Sequence, residues 1–558
     1  MAFDGLITKS IVSELNNNLI GGKINKIYEP NKNEIILDIY NKQKFMLNIC
    51  IDSSNCIINL TTHLKPNPKT APNFCMLLRK YLTSSKIVSL ETLNLDRIVI
   101  ITLENYNELN DLVKYNLIVE LMGKHSNIIL VNEKDVIIDS IRHISSSQAL
   151  RNTLPANPYI FPISDKLNLL EISQYEFINE INLENQKNLI NKCCNLFTGI
   201  SKAFMFYSLQ KLEIDFNNYN KEDLIKLYKY INDIIFQKDL RCEKFDFNGK
   251  EDFSITTSNT PSSINSFIDE YYFNKETNEI FINYKNTVLK LILSLLGKYN
   301  KKLAVIQEKL NECKDMEKYK IYGELITANL YNINNNINID SITLKNYYDN
   351  NNLITIPLDK KISPSYNAKK FFKKYNKLKN TLNIVTKQKD QIKNEILYLE
   401  TIIYSLENSS NIEEVDEIYE EIRENIIKSN NSNVEKNKRT KNTLDFTSLN
   451  IDGYKILIGK NNTQNDYITF KMSDKNDLWF HVQGFHGSHV LLKTNGNEIA
   501  DNNPILAKCA KLAALHSKAN TENKVSVDYT LIKNIKKPRG SKPGFVIFNN
   551  YKTLIINI

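Results

Sequence analysis

The stretch DLWFHVQGFHGSHVLLK, residues 477–493, combines side chains that could bind a metal, catalyse a reaction or contact RNA. It holds the only Trp of the chain and three of its seven His within 17 residues. The spacing of His481, His486 and His489 has no helical i, i+4 pair, and no Cys or acid completes the set locally, which disfavours a metal site. Ser488 adjoins His489, but neighbours on a strand point to opposite faces, which disfavours a nucleophile and base pair.

The interpretation that remains for this stretch is a surface that binds single-stranded RNA. Trp479 and His481 offer rings for stacking on bases, while Ser488 and His489 follow a glycine-containing turn and could contact phosphate. The alternative is that Trp479 is a core residue and that the histidines end strands. The residues alone leave both interpretations open.

A second candidate is the turn IKKPRGSKPG, residues 535–544, which has four cations within seven residues. Two prolines stiffen it and two glycines permit tight turns, so the cations are presented rigidly. Rigid presentation lowers the entropy lost when a phosphate backbone binds. The cations are Lys536, Lys537, Arg539 and Lys542. A solvated basic loop is the alternative.

Charge distribution points in the same direction. Residues 434–558 contain 19 Lys and Arg against 10 Asp and Glu, so this segment accounts for the whole net charge of +9. An excess of this kind indicates a polyanionic partner. Only 8 of the 72 basic residues are Arg, yet Arg79, Arg97, Arg142 and Arg151 fall within 73 residues, which suggests sites that need a planar, forked donor.

Bulk composition favours a cytoplasmic protein without cofactor or metal. The first residues, MAFDGLITKSIVSELNN, are amphipathic and carry acids, unlike a signal peptide, and no run of eighteen apolar residues occurs. The eight Cys form no CxxC pair and are typical of reduced, buried thiols. The length of 558 residues predicts several domains.

An α+β multidomain fold follows from the periodicities. Residues 1–165 alternate short strand patterns with two helices, and the absence of long helical crossovers predicts an antiparallel sheet. Residues 166–250 have helical patterns, and NLFTGISKAF within them has the form of a helix-hairpin-helix turn. That turn either exposes backbone N–H groups to phosphate or simply packs two helices.

The central segment carries the strongest periodicity. Apolar residues recur at alternating spacings of three and four over 289–313 and again over 371–406. Sustained heptads predict a coiled coil, which we expect to be an antiparallel hairpin spanning 280–430 with a small β insertion at about 320–370. A parallel dimeric coil is the alternative.

The last part of the chain combines a linker and a final domain. Residues 428–442 are polar, basic and almost free of apolar side chains, which is typical of a linker. Residues 443–558 show seven strand patterns, among them YITFKM at 467–472, and one helix pattern, NPILAKCAKLAALHSK. This indicates an α+β domain.

Several long motifs resemble one known family. NNTQNDYITFKMSDKNDLWFHVQGFHGSHVLLK with KKPRGSKPGFVIF is similar to the NFACT-R domain, and MAFDGLITKSIVSEL, NPKTAPNFCMLLRKYL, LDRIVI and VELMGKHSNIILV are similar to the NFACT-N domain. With the coiled coil between them, the chain is identified as a member of the NEMF/RqcH group of ribosome quality control factors. Gly484 and His486 depart from the family pattern, whereas Gly487, Ser488 and His489 match it.

The resemblance implies a role on obstructed ribosomes. Such a protein binds the large ribosomal subunit that still carries peptidyl-tRNA, recruits alanyl-tRNA and promotes addition of a C-terminal alanine tail without mRNA. The ribosome's own centre would make the peptide bonds, so a monomeric binding factor and not an enzyme is expected. The residues that the resemblance assigns to tRNA handling are Asp96, Arg97, Glu120, Met122, Gly123, Lys124, His125 and Asn127.

Two other functions are compatible with parts of the sequence. Members of this family have also been called fibronectin-binding proteins, so a cell-surface adhesin is the alternative function, although it would require export. The N-terminal part, with its glycosylase-like sheet, also resembles Fpg-type DNA glycosylases. Those enzymes use an N-terminal Pro amine, whereas Met1 is followed here by Ala2 and Phe3, and no CxxC zinc finger follows.

Overall fold

The structure is a computed structural model that describes residues 3–107, 109–145, 151–181, 188–236, 239–333, 340–427 and 446–558. The chain forms two compact units, Met1–Asn278 and Glu279–Ile558. The expected linker at 428–442 lies outside the described residues.

In its described residues the first unit combines one large sheet with helices α1 to α6 and the beginning of a long seventh helix. The helices are α1 (Gly5–Leu19), α2 (Asn73–Leu82), α3 (Gln174–Ile181), α4 (Leu189–Leu196), α5 (Lys202–Lys211) and α6 (Lys221–Phe236). The strands are β1 (Lys23–Asn31), β2 (Glu34–Asn41), β3 (Gln43–Cys50), β4 (Ile57–Leu60), β5 (Lys86–Thr92), β6 (Ile98–Tyr106), β7 (Leu112–Glu120), β8 (Asn127–Asn132), β9 (Ile137–Ser140), β10 (Leu240–Asp246) and β11 (Glu251–Thr257).

Nine of these strands form the sheet, in the order β4-β3-β2-β1-β5-β6-β7-β8-β9. Every neighbouring pair is antiparallel, as the short connections predict. The apolar face of α1, including Ile7, Ile11 and Leu15, is buried in the same core cluster as the inner face of the sheet. The expected antiparallel α+β domain is therefore confirmed.

The hairpin of β10 and β11 differs from the helical pattern expected up to residue 250. Asn248 and Gly249 connect the strands with φ angles of 55° and 76°. Two successive positive φ angles define the type I′ turn that Asn-Gly favours between paired strands. The Asn-Gly signal therefore outweighs the helical pattern that precedes it.

The helix-hairpin-helix-like turn packs against the start of α1. Gly199 has a φ of 84°, and its carbonyl accepts a hydrogen bond from the Leu6 N–H at 3.2 Å. A Cβ placed on Gly5 would lie 1.7 Å from the Leu95 carbonyl oxygen and 2.6 Å from the Gly199 Cα. The two glycines thus allow three backbone segments to meet, which fits the packing interpretation of this turn.

The second unit is built on a long helical hairpin. Its elements are α7 (Ile264–Lys314), which begins in the first unit, α8 (Met316–Ala328), β12 (Ser341–Asn346), β13 (Asn352–Pro357), α9 (Pro364–Glu407) and α10 (Ile412–Ile422). Ile292 shares a buried cluster with Leu399 and Ile402, and the Cys313 thiol is 3.5 Å from the Leu378 carbonyl oxygen. Contacts in that order make the two arms antiparallel within one chain, as the heptads predict.

The C-terminal part of this unit is a six-stranded antiparallel sheet, ordered β14-β15-β17-β16-β18-β21. Its elements are β14 (Thr447–Ile451), β15 (Tyr454–Ile458), α11 (Asn462–Phe470), β16 (Leu478–Val482), β17 (Val490–Lys493), α12 (Pro504–Leu515), β18 (Lys524–Leu531), β19 (Ile535–Lys536), β20 (Ile547–Phe548) and β21 (Lys552–Asn557). The apolar side of α12 covers one face of the sheet. The expected α+β domain is present.

One strand expected in this domain is a helix. Residues 467–472 fall largely within α11, because two side-chain hydrogen bonds cap the N-terminal end of that helix. Asn461 Oδ1 accepts a hydrogen bond from the Gln464 N–H at 2.8 Å, and Gln464 Oε1 accepts one from the Lys460 N–H at 3.0 Å. This reciprocal capping overrides the strand propensity of the aromatic and β-branched residues that follow.

No helix in the described part of the chain has both the length and the apolar character required to cross a membrane.

Candidate nucleic-acid interface

Three neighbouring strands bring the residues assigned to tRNA handling to one edge of the large sheet. Ile98, the first residue of β6, lies opposite Glu120 at the end of β7, and Glu120 lies opposite Asn127 at the start of β8. The Leu121 N–H donates to the Arg97 carbonyl at 2.8 Å. Asp96 and Arg97 therefore lie directly before a strand, as expected, beside the segment 120–127.

Glu120 is a buried member of this edge. Its side chain is 1% exposed, and Arg151 donates from one nitrogen to both of its carboxylate oxygens at 2.8 Å. The Tyr159 hydroxyl donates to the same carboxylate at 2.8 Å, and burial, reinforced by that charge, raises the pKa of Tyr159. The carboxylate is thus fully engaged within the protein, and its contribution to the edge is to position neighbouring residues.

The turn between β7 and β8 presents side chains to solvent. Gly123 begins it with a φ of 61°, and both Lys124 and His125 are exposed. Arg142 supports the turn from below by donating to the Ser126 carbonyl at 3.0 Å. Lys124 and His125 are consequently held in place and free to approach a phosphate.

Asn127 and Met122 hold the backbone of this turn through buried contacts. Asn127 is 1% exposed, and its amide donates to the Arg142 carbonyl at 2.9 Å while its Oδ1 accepts from the Arg142 N–H at 3.0 Å. Met122 is half-buried against the apolar cluster that contains Ile98. Both residues therefore fix the backbone that carries the exposed pair.

Asp96 and Arg97 are half-buried and electrostatically coupled to their surroundings. Partial burial raises the pKa of Asp96, while Arg97 and Lys166 act to lower it. Arg97 also lies near Asp4, a buried carboxylate whose pKa is raised to about 6 by burial. Asp4 accepts hydrogen bonds from the Ile7 N–H at 3.2 Å and from the Ser201 hydroxyl at 2.8 Å.

Sequence reasoning missed Asp4 and the role of Arg151. The signal for Asp4 is an Asp directly before the amphipathic pattern of α1, which is the position of a helix N-cap. The signal for the arginines was their clustering. In the structure Arg79 donates twice to the Ile27 carbonyl, at 2.9 and 2.8 Å, so it uses its fork to support the backbone, as Arg142 does.

Trp479 of β16 is buried among aromatic rings, one of which, Phe548, follows the basic turn. Trp479 is 1% exposed, and its ring centroid lies 5.6 Å from that of His481 and 5.0 Å from those of His489 and Phe548. Its indole N–H has no hydrogen-bond partner among the described residues. Trp479 therefore occupies the core position that was the alternative interpretation, and a base could reach its ring only after rearrangement.

The histidines of this stretch are neutral at pH 7. Burial lowers the pKa of His481 to about 4 and holds that of His489 well below its ordinary value. His489 pairs with the Thr469 hydroxyl at 2.8 Å. Burial also lowers the pKa of His486, opposed by Glu400 at 3.7 Å. None of the three supplies a permanent cation for phosphate.

Ser488 and its neighbours are packed against another loop. The Ser488 side chain is buried and its N–H donates to the His516 carbonyl at 2.9 Å. A Cβ on Gly487 would lie 2.7 Å from the Ser517 Cβ. Within the described ranges, no three His, Cys, Asp or Glu side chains are grouped as ligands of one metal ion.

Two cations of the basic turn bind acceptors within the protein, and the other two are exposed. Lys537 pairs with Asp466, which also accepts the Gly544 N–H at 2.9 Å. Lys542 donates to the Asn425 carbonyl at 2.6 Å and lies 3.3 Å from Glu395. Among the described residues Lys536 and Arg539 have no ion-pair partner, and both are exposed. These two are the cations of the turn best placed for phosphate.

Carboxylates of α10 hold the beginning of α11. Glu417 accepts from the side-chain amides of Asn461 and Gln464, each at 2.7 Å. Glu421 accepts from Asn462 at 3.0 Å, and burial raises its pKa. The C-terminal sheet is therefore joined to the base of the helical hairpin by a buried polar network.

Comparison with known proteins places this architecture in a family. Residues 4–441 match the model for the NFACT N-terminal and middle domains, and residues 443–550 match that for the NFACT protein RNA binding domain. The chain belongs to the NFACT family, and it carries that family's RNA-binding domain.

Relatives with assigned names align over the full length. The chain is 31% identical to "Rqc2 homolog RqcH" of Bacillus subtilis, an alignment that covers 100% of this chain and 98% of the relative. It is 34% identical to the protein of that name from Streptococcus suis, over 99% of this chain and 98% of the relative. A solved structure, the N-terminal part of the fibronectin/fibrinogen-binding protein from S. suis, is 30% identical, with a TM-score of 0.41, and covers 49% of this chain and 100% of that one.

Proposed function

We propose that this protein is a ribosome quality control factor that binds large ribosomal subunits still carrying peptidyl-tRNA. The observation that carries the proposal is the full-length similarity to proteins named RqcH, with both NFACT domains in order. The exposed cations of the C-terminal domain support an RNA partner, because phosphate contacts dominate affinity for nucleic acids. We expect the protein to act in the cytoplasm.

The finer step of the proposal is alanine tailing. The protein would recruit alanyl-tRNA and promote mRNA-independent addition of alanine to the stalled chain, while the ribosomal centre makes each bond. Holding two reactants in a productive geometry is itself a large source of rate acceleration. A protein that supplies binding and orientation fits the exposed Lys124 and His125 beside Asp96 and Arg97.

The sheet edge offers complementary groups for a tRNA. Arg97 and Lys124 can bind phosphates, and Asp96 can accept hydrogen bonds from sugar hydroxyls or base amines. Glu120 and Asn127 would act indirectly, since both are buried and hold the strand ends that carry the exposed residues. We therefore expect substitutions of the exposed Lys124 and His125 to impair tailing without unfolding the domain.

The distal half of α9 adds a further basic surface. Residues 364–389 contain eight Lys and no Asp or Glu. Lys370, Lys374 and Lys377 are exposed and fall on one helix face by their spacing. A stripe of this kind suits the phosphate backbone of ribosomal RNA, so we assign the hairpin to subunit binding.

Co-sedimentation with large ribosomal subunits, followed by sequencing of the bound tRNA, tests the proposal. We expect enrichment on subunits that carry peptidyl-tRNA, with a second tRNA dominated by alanine acceptors. The double variant Asp96→Ala, Arg97→Ala should retain subunit binding and lose tails. Absence of the wild-type protein from ribosomal fractions, together with its release by surface proteolysis of intact cells, would refute the proposal.

A further inference from the structure

A groove in the second unit has no role in the function described so far. It lies between the hairpin arms and the basic turn, and its volume is about 680 Å³. Tyr299 of α7, Glu395 of α9 and the segment 540–545 line it, and His486 lies at its wall. Its size is in the range that accommodates a small molecule or a single nucleotide.

Glu395 supplies an unusual acceptor in this groove. Its Oε2 is buried and accepts no hydrogen bond among the described residues, whereas its side chain as a whole is 27% exposed. The other oxygen, Oε1, lies 3.3 Å from the Lys542 ammonium. Buried carboxylate oxygens in proteins normally have a donor, so the absence of one for Oε2 suggests that the Glu395 side chain turns toward a donor when a ligand occupies the groove.

Neutral groups on the same helix face could hold a planar ligand. Gln391 and Asn394 are exposed amides that line the groove within one turn of Glu395. Phe545 also lines the groove, and 50% of its side chain is exposed. Amides provide both donors and acceptors, and an exposed ring provides a stacking surface.

Cations line this groove and an adjoining one. Lys542 of the first groove donates to the Asn425 carbonyl at 2.6 Å. The adjoining groove shares Gln391 and Ile392 and is lined by the exposed Lys301 and Lys302. An aromatic and amide centre flanked by ammonium groups matches a base flanked by its own phosphates.

We propose that this groove binds an unpaired nucleotide of RNA whose base carries an exocyclic amine, stacked on Phe545 and donating to Glu395. The inference deepens the proposed function and rests on it, since it identifies which part of the RNA the second unit recognises. A carboxylate accepts from the amine of cytosine, adenine or guanine. Uracil presents a carbonyl oxygen at that position, which a carboxylate repels.

Fluorescence anisotropy of the full chain with labelled C6, A6 and U6 RNA hexamers tests the proposal. We expect C6 and A6 to bind about tenfold tighter than U6, because one charge-assisted hydrogen bond separates them. Glu395→Gln should abolish that preference. Phe545→Ala should weaken all three about tenfold or more, through lost stacking. Ile547→Ala is the matched control, since Ile547 is 56% exposed two residues away and does not line the groove.

The outcomes separate this inference from the function on which it rests. Equal affinities for the three hexamers, with no effect of Glu395→Gln or Phe545→Ala, overturn the nucleotide site while subunit co-sedimentation still stands. Binding of a lysine-rich peptide that is lost in Glu395→Gln, with RNA affinity unchanged, overturns it in favour of a protein ligand. Failure of the wild-type protein to co-sediment with large ribosomal subunits refutes the proposed function itself. Thermal melting of each variant verifies that it is folded.

Discussion

Removing the Arg151 guanidinium should destabilise the sheet edge that carries the residues proposed to handle tRNA. Glu120 is 1% exposed, and two of its hydrogen bonds come from Arg151. Loss of one partner from a buried ion pair leaves an uncompensated charge and typically costs about 3–5 kcal/mol. That range corresponds to a change of about 10²–10³·⁵ in the equilibrium between the folded and unfolded edge, at about 1.4 kcal/mol per tenfold.

The assay is amide hydrogen exchange across β6, β7 and β8, with thermal melting of the whole chain alongside. Arg151→Met should accelerate exchange in these strands, whereas Glu120→Leu combined with Arg151→Met should recover most of the protection, because no buried charge remains. Lys552→Ala is the control, since its ion pair with Asp501 is more than half exposed and should contribute little to stability. Unchanged exchange in Arg151→Met, or no recovery in the double variant, would refute this reasoning.

Three further predictions follow from individual contacts. Gly5→Ala should lower the melting temperature, since the added Cβ would lie 1.7 Å from a carbonyl oxygen, whereas Gly297→Ala, in open space on α7, should raise stability by up to about 1 kcal/mol. The pKa of His481 is lowered to about 4, so the unfolded state binds a proton at a higher pH than the folded state does. The free energy of unfolding should therefore fall as the pH is lowered from about 6.5 to about 4, by up to about 3 kcal/mol. Urea unfolding of the wild type and of His481→Phe across that range measures the difference. Lys536→Ala with Arg539→Ala should lower the slope of log affinity for single-stranded RNA against log salt by about 1.4, measured by titration at several salt concentrations, and an unchanged slope would show that neither contacts phosphate.

Helices whose apolar residues recur at a regular spacing, because one face is buried, could be predicted from the sequence. The heptads at 289–313 and 371–406 lie within α7 and α9, because a residue every three or four positions must face the other arm. Both helices extend beyond the periodic segments, and α7 begins already at Ile264. The pattern marks where two helices touch, and helical structure continues where capping and local propensity support it.

Two segments have a different secondary structure from the one that their residue pattern predicts, because local capping and turn geometry determine it. The segment at 467–472 has aromatic and β-branched residues typical of a strand, but two reciprocal hydrogen bonds between Asn461, Gln464 and Lys460 begin a helix before it. Around 240–257, Asn248 and Gly249 impose a hairpin on a stretch that continues a helical pattern. In both places one or two residues that fix backbone dihedrals outweigh the side chains of a whole segment.

Site residues could be chosen from the sequence, whereas their roles depend on what covers them. Glu120 and Lys124 belong to one motif, yet the first is buried under Arg151 and Tyr159 and the second is exposed. Trp479 lies on a strand whose two faces both pack, one against α12 and the other against His489 and Phe548. Strand alternation predicts that residues share a face, but it does not predict that Phe548 of β20, far along the chain, covers that face.

Charge counts over long segments conceal the second basic surface. Outside residues 434–558 the chain has 53 basic and 53 acidic residues, which sum to zero, but 364–389 within it has eight Lys and no acid. Phosphate contacts are local, so the charge that matters is the charge on one helix face. With the stripe of α9 and the exposed Lys536 and Arg539 on the same unit, binding at one surface raises the effective concentration of RNA at the other. Two individually weak, salt-sensitive contacts can then bind one large RNA firmly, and removal of either surface should leave only the weak affinity of the other.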